Sequence, residues 1–291
     1  MASFQIISDS SCDFDPTLAK DKNVELIPFY ITFDNSTYLK ENVDISKDEF
    51  YHRLVNDELF PKTSLPSVQD YINVYKPYLE KGEDILSLCI SSLLSGSYQS
   101  ARNAANILLE EFPDRKISII DSKQATFGQG IILFELIKMR DDGLTLEEST
   151  KIINNIKDSA TVIFTVDSLD HLQKGGRIGK ATAIAGSLLN IKPILLLKDG
   201  EISSLSKARG SKKALSFVIN TCIDRIGENR DNYDYIVGHT SVPEEASYLK
   251  KTFIEDYGFK VDYPLINAGV TVGTHVGPGG IGIGFIKKYN T

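Results

Sequence analysis

The 291-residue chain has no tryptophan, two methionines and three cysteines. Cys12, Cys89 and Cys222 are odd in number and far apart, and none belongs to a Cys-x-x-Cys pair. Neither a disulfide framework nor a zinc site is expected. No apolar run approaches the roughly 20 residues of a membrane span. The N-terminus, MASFQIISDSS, lacks a basic region followed by an apolar core, so no secretory leader is expected and the chain reads as cytoplasmic. A basic excess is missing too. With 32 Lys and Arg against 39 Asp and Glu, the net charge is −7, which disfavours a general nucleic-acid binder. No two of the histidines (His52, His171, His239, His275) share a metal-ligand spacing, so no metal is expected. GGRIGKAT (Gly175–Thr182) fails as a phosphate loop, because Ala181 stands where Ser or Thr must follow the lysine. Gly279, Gly280, Gly282 and Gly284 do not fit a dinucleotide fingerprint, and GHTSV (Gly238–Val242) is not a nucleophile elbow.

What is present is ordinary globular material, 42% apolar and 24% charged, long enough for two domains. Apolar strands at Phe4–Ser8, Val24–Phe33, Ile85–Ile90 and Lys116–Asp121 alternate with helices. Ser46 caps one helix, carrying Phe50, Leu54 and Val55, and Ser67 caps another, carrying Tyr71, Val74, Tyr75 and Tyr78. Ser97–Phe112, Phe127–Arg140 and Leu146–Lys157 are further helices. This alternation predicts a covered parallel sheet, with ligands beyond the carboxyl ends of its strands. Beyond about Ser159 the rhythm changes. Strands are predicted at Thr161–Val166, Pro193–Lys198, Glu201–Leu205, Asp234–Thr240, Lys260–Leu265 and Ile281–Lys287, with Asp199-Gly200 as a hairpin turn. Helices are predicted at Ser211–Ile226 and Pro243–Tyr257. The expected fold is α/β in two domains, a parallel-sheet α/β domain over 1–158 and an α+β domain over 159–291, packed together and sharing a cleft.

One stretch carries chemistry. In ILSLCISSLLSGSYQS (Ile85–Ser100) an apolar strand ends in a hydroxyl-rich turn, and a helix follows. Such a turn aims N–H groups and hydroxyls at one point, at the positive end of a helix dipole. With no lysine, phosphate-type glycine pattern or metal ligand in the loop, a carboxylate or single phosphate is the natural guest; an ordinary N-cap serine is the plainer reading. KTSLPS (Lys62–Ser67) offers Thr63 and Ser64 just before Pro66. His275 lies in VGTHVGPGG, read as a flexible turn able to reach a ligand mouth. From Asp170 to Lys213 nine basic residues face three acidic ones, a docking surface for an acidic or phosphate-bearing partner, or simply a solvated face.

Five segments, spread in order over nearly the whole chain, resemble the signatures of the DegV proteins, a bacterial fatty-acid-binding family: SDSSCD (Ser8–Asp13), KTSLPS (Lys62–Ser67), SSLLSGSYQSA (Ser91–Ala101), DSKQATFGQG (Asp121–Gly130) and LQKGGRI (Leu172–Ile178). The His275 turn before PGGIG agrees. The resemblance implies a long-chain fatty acid, such as palmitate, in an interdomain tunnel. Its carboxylate would be held by Thr63 and Ser95, assisted by the backbone at Gly96 and with His275 near the head group. It also implies that the protein presents the fatty acid to a separate kinase, which makes the acyl phosphate from ATP. Arg209 is then the candidate docking residue, while Arg177 is mainly structural. Two positions depart from the pattern: Ser97 stands where threonine is common, and Cys12 follows Ser11 in a turn often built from Ser and Thr.

The resulting expectation is a lipid-binding protein without catalysis of its own, with no cofactor, no nucleic acid and at most transient membrane contact. Rival readings are a serine hydrolase with Ser95 as nucleophile and His275 as base, a small-molecule kinase, and a lipid-sensing regulatory module.

Overall fold

A computed structural model describes residues 4–56, 60–184 and 190–291. The chain opens with β1 (Phe4–Asp9), buried throughout. α1 (Pro16–Asp21) starts on a proline, and the Asp15 side chain caps it by accepting from the Leu18 N–H. β2 (Val24–Ile27) ends at Pro28, and the chain leaves for β3 (Tyr30–Thr32) and β4 (Leu39–Lys40). The predicted single strand Val24–Phe33 is therefore two strands in two sheets, because proline has no N–H with which to continue a ladder. α2 (Lys47–Asn56) and β5 (Lys62–Ser64) follow. A capping box opens α3 (Val68–Glu80), with Ser67 and Asp70 each bonding the other's backbone N–H. Then come β6 (Asp84–Cys89), α4 (Ser97–Glu111), β7 (Ile117–Asp121), α5 (Thr126–Asp141) and α6 (Leu146–Ile156). The remainder runs β8 (Thr161–Thr165), α7 (Asp170–Lys174), β9 (Ile191–Lys198), β10 (Glu201–Arg209), α8 (Ser211–Ile226), β11 (Tyr233–His239), α9 (Pro243–Glu255), β12 (Ile266–Asn267), α10 (Val270–Val276) and β13 (Ile281–Lys287).

These elements form a parallel sheet in the order β2-β1-β6-β7 and a six-stranded sheet in the order β10-β9-β8-β13-β11-β12. The second sheet is antiparallel except where β12 joins β11. The fold is thus α/β, a parallel-sheet part followed by an α+β part. β9 and β10 turn at Asp199 and Gly200, both left-handed at φ 54° and 91°, as a two-residue hairpin with the twist of its strands requires. α5 packs against β1 and β6 on one side and β11 and β13 on the other, which explains why Ile131, Ile132, Leu133 and Leu136 are all fully buried. A small antiparallel sheet, β4-β3-β5, was not expected. The strand predicted over Lys260–Leu265 does not form there. Pro264 interrupts it, and the chain pairs only at Ile266–Asn267. No described helix is long and apolar enough to cross a membrane.

Three buried acids organise the turn after β1. Asp9, at 0% exposure, accepts from Ser11 Oγ at 2.5 Å, Ser97 Oγ at 2.9 Å, Gln129 Nε2 at 3.0 Å and the Ile90 N–H at 3.0 Å. It fastens the starts of α4 and α5 to the end of β1. Glu41 accepts from Ser10 Oγ at 2.6 Å and from Thr271 Oγ1 at 2.7 Å. Asp13 accepts from the Gly269 N–H at 2.9 Å and from the Thr126 hydroxyl. Glu41 and Asp13 thereby tie the first part of the chain to the segment leading into α10. Lys47 Nζ stands near both acids and donates to the carbonyls of Asp13 and Asn267, each at 2.9 Å.

Burial pushes the Asp13 carboxyl up to about 7, with the Lys47 charge and the hydrogen bonds from Thr126 and Gly269 only partly offsetting it. In the unfolded chain it returns to an ordinary 3.8. The stability that the protonated group contributes is full below the unfolded value and is lost as pH rises through the folded one. The advantage of the natural chain over Asp13→Asn should therefore shrink from about pH 4 to about pH 7, by up to about 1.4 kcal/mol per unit. Urea unfolding at a series of pH values measures this; a difference independent of pH would show that the carboxyl is ionised throughout.

Candidate functional site

Between the carboxyl-end turns of the parallel sheet and one face of the six-stranded sheet lies a cavity of about 230 Å³. Ile90, Leu94, Ala125 and Phe127 reach it from the first sheet's turns, Val162, Phe164, Leu197, Ile202 and Ile281 from the second sheet, and Val272 and Val276 from α10. Most of these side chains belong to the same buried cluster as the core of the parallel sheet, so the cavity is an unfilled part of a continuous apolar interior. β11 approaches closely at Gly238, where any side chain would collide with the Phe127 ring.

The polar groups on the wall are few. Thr63 on β5, Ser95 in the turn before α4, and His275 on α10 all line the cavity. The serine-rich turn shows how Ser95 comes to be available. Ser91 Oγ donates to the Gly200 carbonyl at 2.7 Å, Ser92 Oγ to Asp121 at 2.5 Å and Ser97 Oγ to Asp9 at 2.9 Å. Much of the turn's donor capacity is thus spent on the chain's own acids and carbonyls. Ser95 Oγ accepts from the Ser97 N–H at 3.2 Å, and its own proton has no acceptor among the described residues.

His275 is not in a flexible turn. It sits in the last turn of α10, with Gly273 inside the helix and Gly277 capping its end. Its Nε2 is 2.9 Å from Thr63 Oγ1, while Nδ1 is sealed and without a partner among the described residues. A side chain at Gly175 would run into Nδ1. The proton therefore belongs on Nε2, where the threonine oxygen accepts it, and the Thr63 hydroxyl is left to donate into the cavity. Burial, with help from the neighbouring charge of Arg177, lowers the imidazole to about 4, so it is neutral near pH 7.

Thr63, Ser95 and His275 all line this one cavity, and Thr63 and His275 stand within hydrogen-bond reach of each other. Gly96 is not among the lining residues; it stands at the N-cap of α4, exposed and close to Leu65. Arg209 ends β10 on the exposed edge strand and takes no part in the cavity. Arg177, read from the sequence as mainly structural, also lines the cavity, its guanidinium held by the carbonyls of Leu94 at 3.2 Å and Gly175 at 2.7 Å. The sequence marked no buried acids as a group, yet Asp13 and Glu41 hold Thr126 and Thr271 on the wall. The clue was the paired Asp9 and Asp13 around hydroxyls; Glu41 had none. A triad needs an acid on the histidine's second nitrogen, and among the described residues His275 has no such partner, while its first nitrogen faces Thr63 rather than Ser95.

The chain's likenesses fit this architecture. Residues 3–288 match a family model described as "Uncharacterised protein, DegV family". A DegV domain-containing protein of Clostridium perfringens is 34% identical over 292 residues, covering 98% of both chains. A solved stearic-acid-binding protein from Eubacterium ventriosum is 37% identical, covers 99% of each chain and superposes with a TM-score of 0.94. A DegV protein from Thermus thermophilus, solved in a study of its fatty acid binding, is 29% identical over 98% of this chain and 99% of its own, with a TM-score of 0.88. With the family model spanning nearly every residue and the same arrangement of sheets around the cavity, the chain belongs to the DegV family.

Proposed function

We propose that this protein binds a long-chain fatty acid, with the alkyl chain in the apolar cavity and the carboxylate on Thr63 and Ser95. The observation that carries this reading is the make-up of one cavity: mostly apolar side chains, with Thr63 and Ser95 both on the wall and free to donate, Thr63 oriented by a neutral histidine. Each methylene taken from water is worth about 0.8 kcal/mol, which supplies the affinity. The carboxylate must still be met by donors, since an unpaired buried charge is costly. Thr63 and Ser95 supply neutral donors, and Arg177 is a cation lining the same cavity. The relatives that bind stearic and other fatty acids support the same ligand class.

The protein is read as a carrier that presents its ligand to a separate fatty acid kinase rather than as an enzyme. The basic stretch containing Lys207, Arg209, Lys212 and Lys213 is the proposed docking face, set apart from the cavity on β10 and the start of α8.

Mass spectrometry of lipid extracted from the purified protein is the direct test and should yield a long-chain fatty acid. Thr63→Val keeps the shape and removes the hydroxyl. It should weaken fatty-acid affinity about 10- to 100-fold, the worth of one hydrogen bond to a charged group, and Ser95→Ala should do the same. Displacement of a fluorescent acyl probe measures both; unchanged affinity in the pair would remove the head-group assignment. Arg209→Glu should leave fatty-acid affinity intact and abolish acyl-phosphate formation from ATP when a fatty acid kinase catalytic subunit is added. Undiminished formation would remove Arg209 from the docking face.

A further inference from the structure

A histidine is out of place in the apolar wall. His239 ends β11, is 5% exposed and lines the cavity. Its Nδ1 accepts from the Val242 N–H at 3.2 Å, so the ring proton is on Nε2. Nε2 has no hydrogen-bond partner among the described residues, and it is not among the sealed orphan atoms; it keeps open surface where the ring meets the cavity. Burial and the nearby Lys47 charge lower the ring to about 4, so it is a neutral donor.

Two acceptors are held close by. Thr126 Oγ1 gives its proton to Asp13, and Thr271 Oγ1 gives its proton to Glu41 at 2.7 Å. Both threonines line the cavity, and each oxygen keeps lone pairs for another donor. The connections keep the group together. The Ala268 N–H donates to the His239 carbonyl at 2.7 Å, and the next residue's N–H, from Gly269, reaches the same Asp13 that holds Thr126. Thr126 is also a β-branched residue at φ 54°, a conformation that costs about 1–3 kcal/mol and collects at ligand sites. On α10, Thr271 lies four residues before His275, roughly 6 Å along the axis, so this group is set off from the head-group donors.

A hydroxyl accepts one hydrogen bond and donates another, so it needs one donor and one acceptor; the group offers the donor and a choice of two acceptors. A plain alkyl chain would leave the Nε2 proton unmet. We propose that His239, Thr126 and Thr271 form a second polar station that recognises an oxygen function, a hydroxyl above all, carried partway along the acyl chain. This rests on the fatty-acid reading above and adds the class of chain that the cavity prefers.

The test is competition on the full-length, delipidated protein. Octadecanoic acid and hydroxyoctadecanoic acids with the hydroxyl at successive positions displace a fluorescent acyl probe from the natural chain, His239→Phe and His239→Gln. In the natural chain at least one positional isomer should bind about tenfold more tightly than octadecanoic acid, the worth of about one net hydrogen bond. His239→Phe should lose that preference and bind octadecanoic acid at least as well, while His239→Gln, which keeps an N–H donor, should retain part of it. Should His239→Phe not fold, the isomer series on the natural chain and on His239→Gln decides: no preferred isomer on the natural chain overturns the proposal. If octadecanoic acid binds and no isomer gains through His239, the station is refuted and the fatty-acid reading stands. If no acyl chain binds at all, both fall.

Discussion

An acid group leaves water only where donors already wait for it, and the interior of this protein is arranged around that constraint. Asp9 is met by two hydroxyls, an amide and a backbone N–H. Glu41 is met by two hydroxyls and a backbone N–H. Asp13 is met by one hydroxyl and one backbone N–H. Neutral donors are the common solution, with Lys47 close to only two of the three. On the proposed reading, Thr63 and Ser95 repeat the solution with the acid coming from outside. A fixed cation in direct contact would bind a carboxylate more tightly, as charge-assisted bonds are about twice as strong as neutral ones. It would also hinder release, which a carrier must allow.

The same hydrogen bonds decide how the two parts of the chain are joined. Asp13 reaches Gly269, Glu41 reaches Thr271, Thr63 meets His275 and Ser91 reaches the Gly200 carbonyl. Three of the four converge on α10 or the residues just before it. That short helix therefore carries the orienting histidine at one end and is pinned by a buried acid at the other.

The parallel sheet was legible because its strands are buried on both faces and read as largely apolar runs, Phe4–Ser8 broken only by Gln5 and Ser8 and Ile85–Ile90 only by Ser87. The hairpin at Asp199-Gly200 was legible because two consecutive left-handed residues admit few other side chains. Pro28 and Pro264 mark the places where apolar patterning misled, since hydropathy does not register a missing N–H. Thr63 and Ser95 stood out as hydroxyls at turns, but which of Ser91, Ser92, Ser95 and Ser97 would remain uncommitted depended on partners distant in sequence: Gly200, Asp121 and Asp9. Glycine density around His275 suggested a loop, whereas the helix holding it is stabilised by packing on α2 and α7 that no local pattern encodes. His239 gave no signal at all, because a lone histidine at a strand end is ordinary until the cavity beside it is known.

The cavity wall belongs to the main buried cluster of the protein, joining residues of both sheets through Phe127, Val162 and Leu197. An alkyl chain lying there would touch the same side chains that elsewhere touch each other, and would therefore act as a core element supplied from outside the sequence. Ligand binding to the folded state alone stabilises that state by mass action, so occupancy and cohesion between the two parts are one equilibrium rather than two. The polar ties at the cavity's edge then have a definite task. They hold α10 and the serine turn in register while the apolar interior is incomplete, so that on the proposed reading an arriving carboxylate would find its donors placed before the chain behind it had contributed any burial.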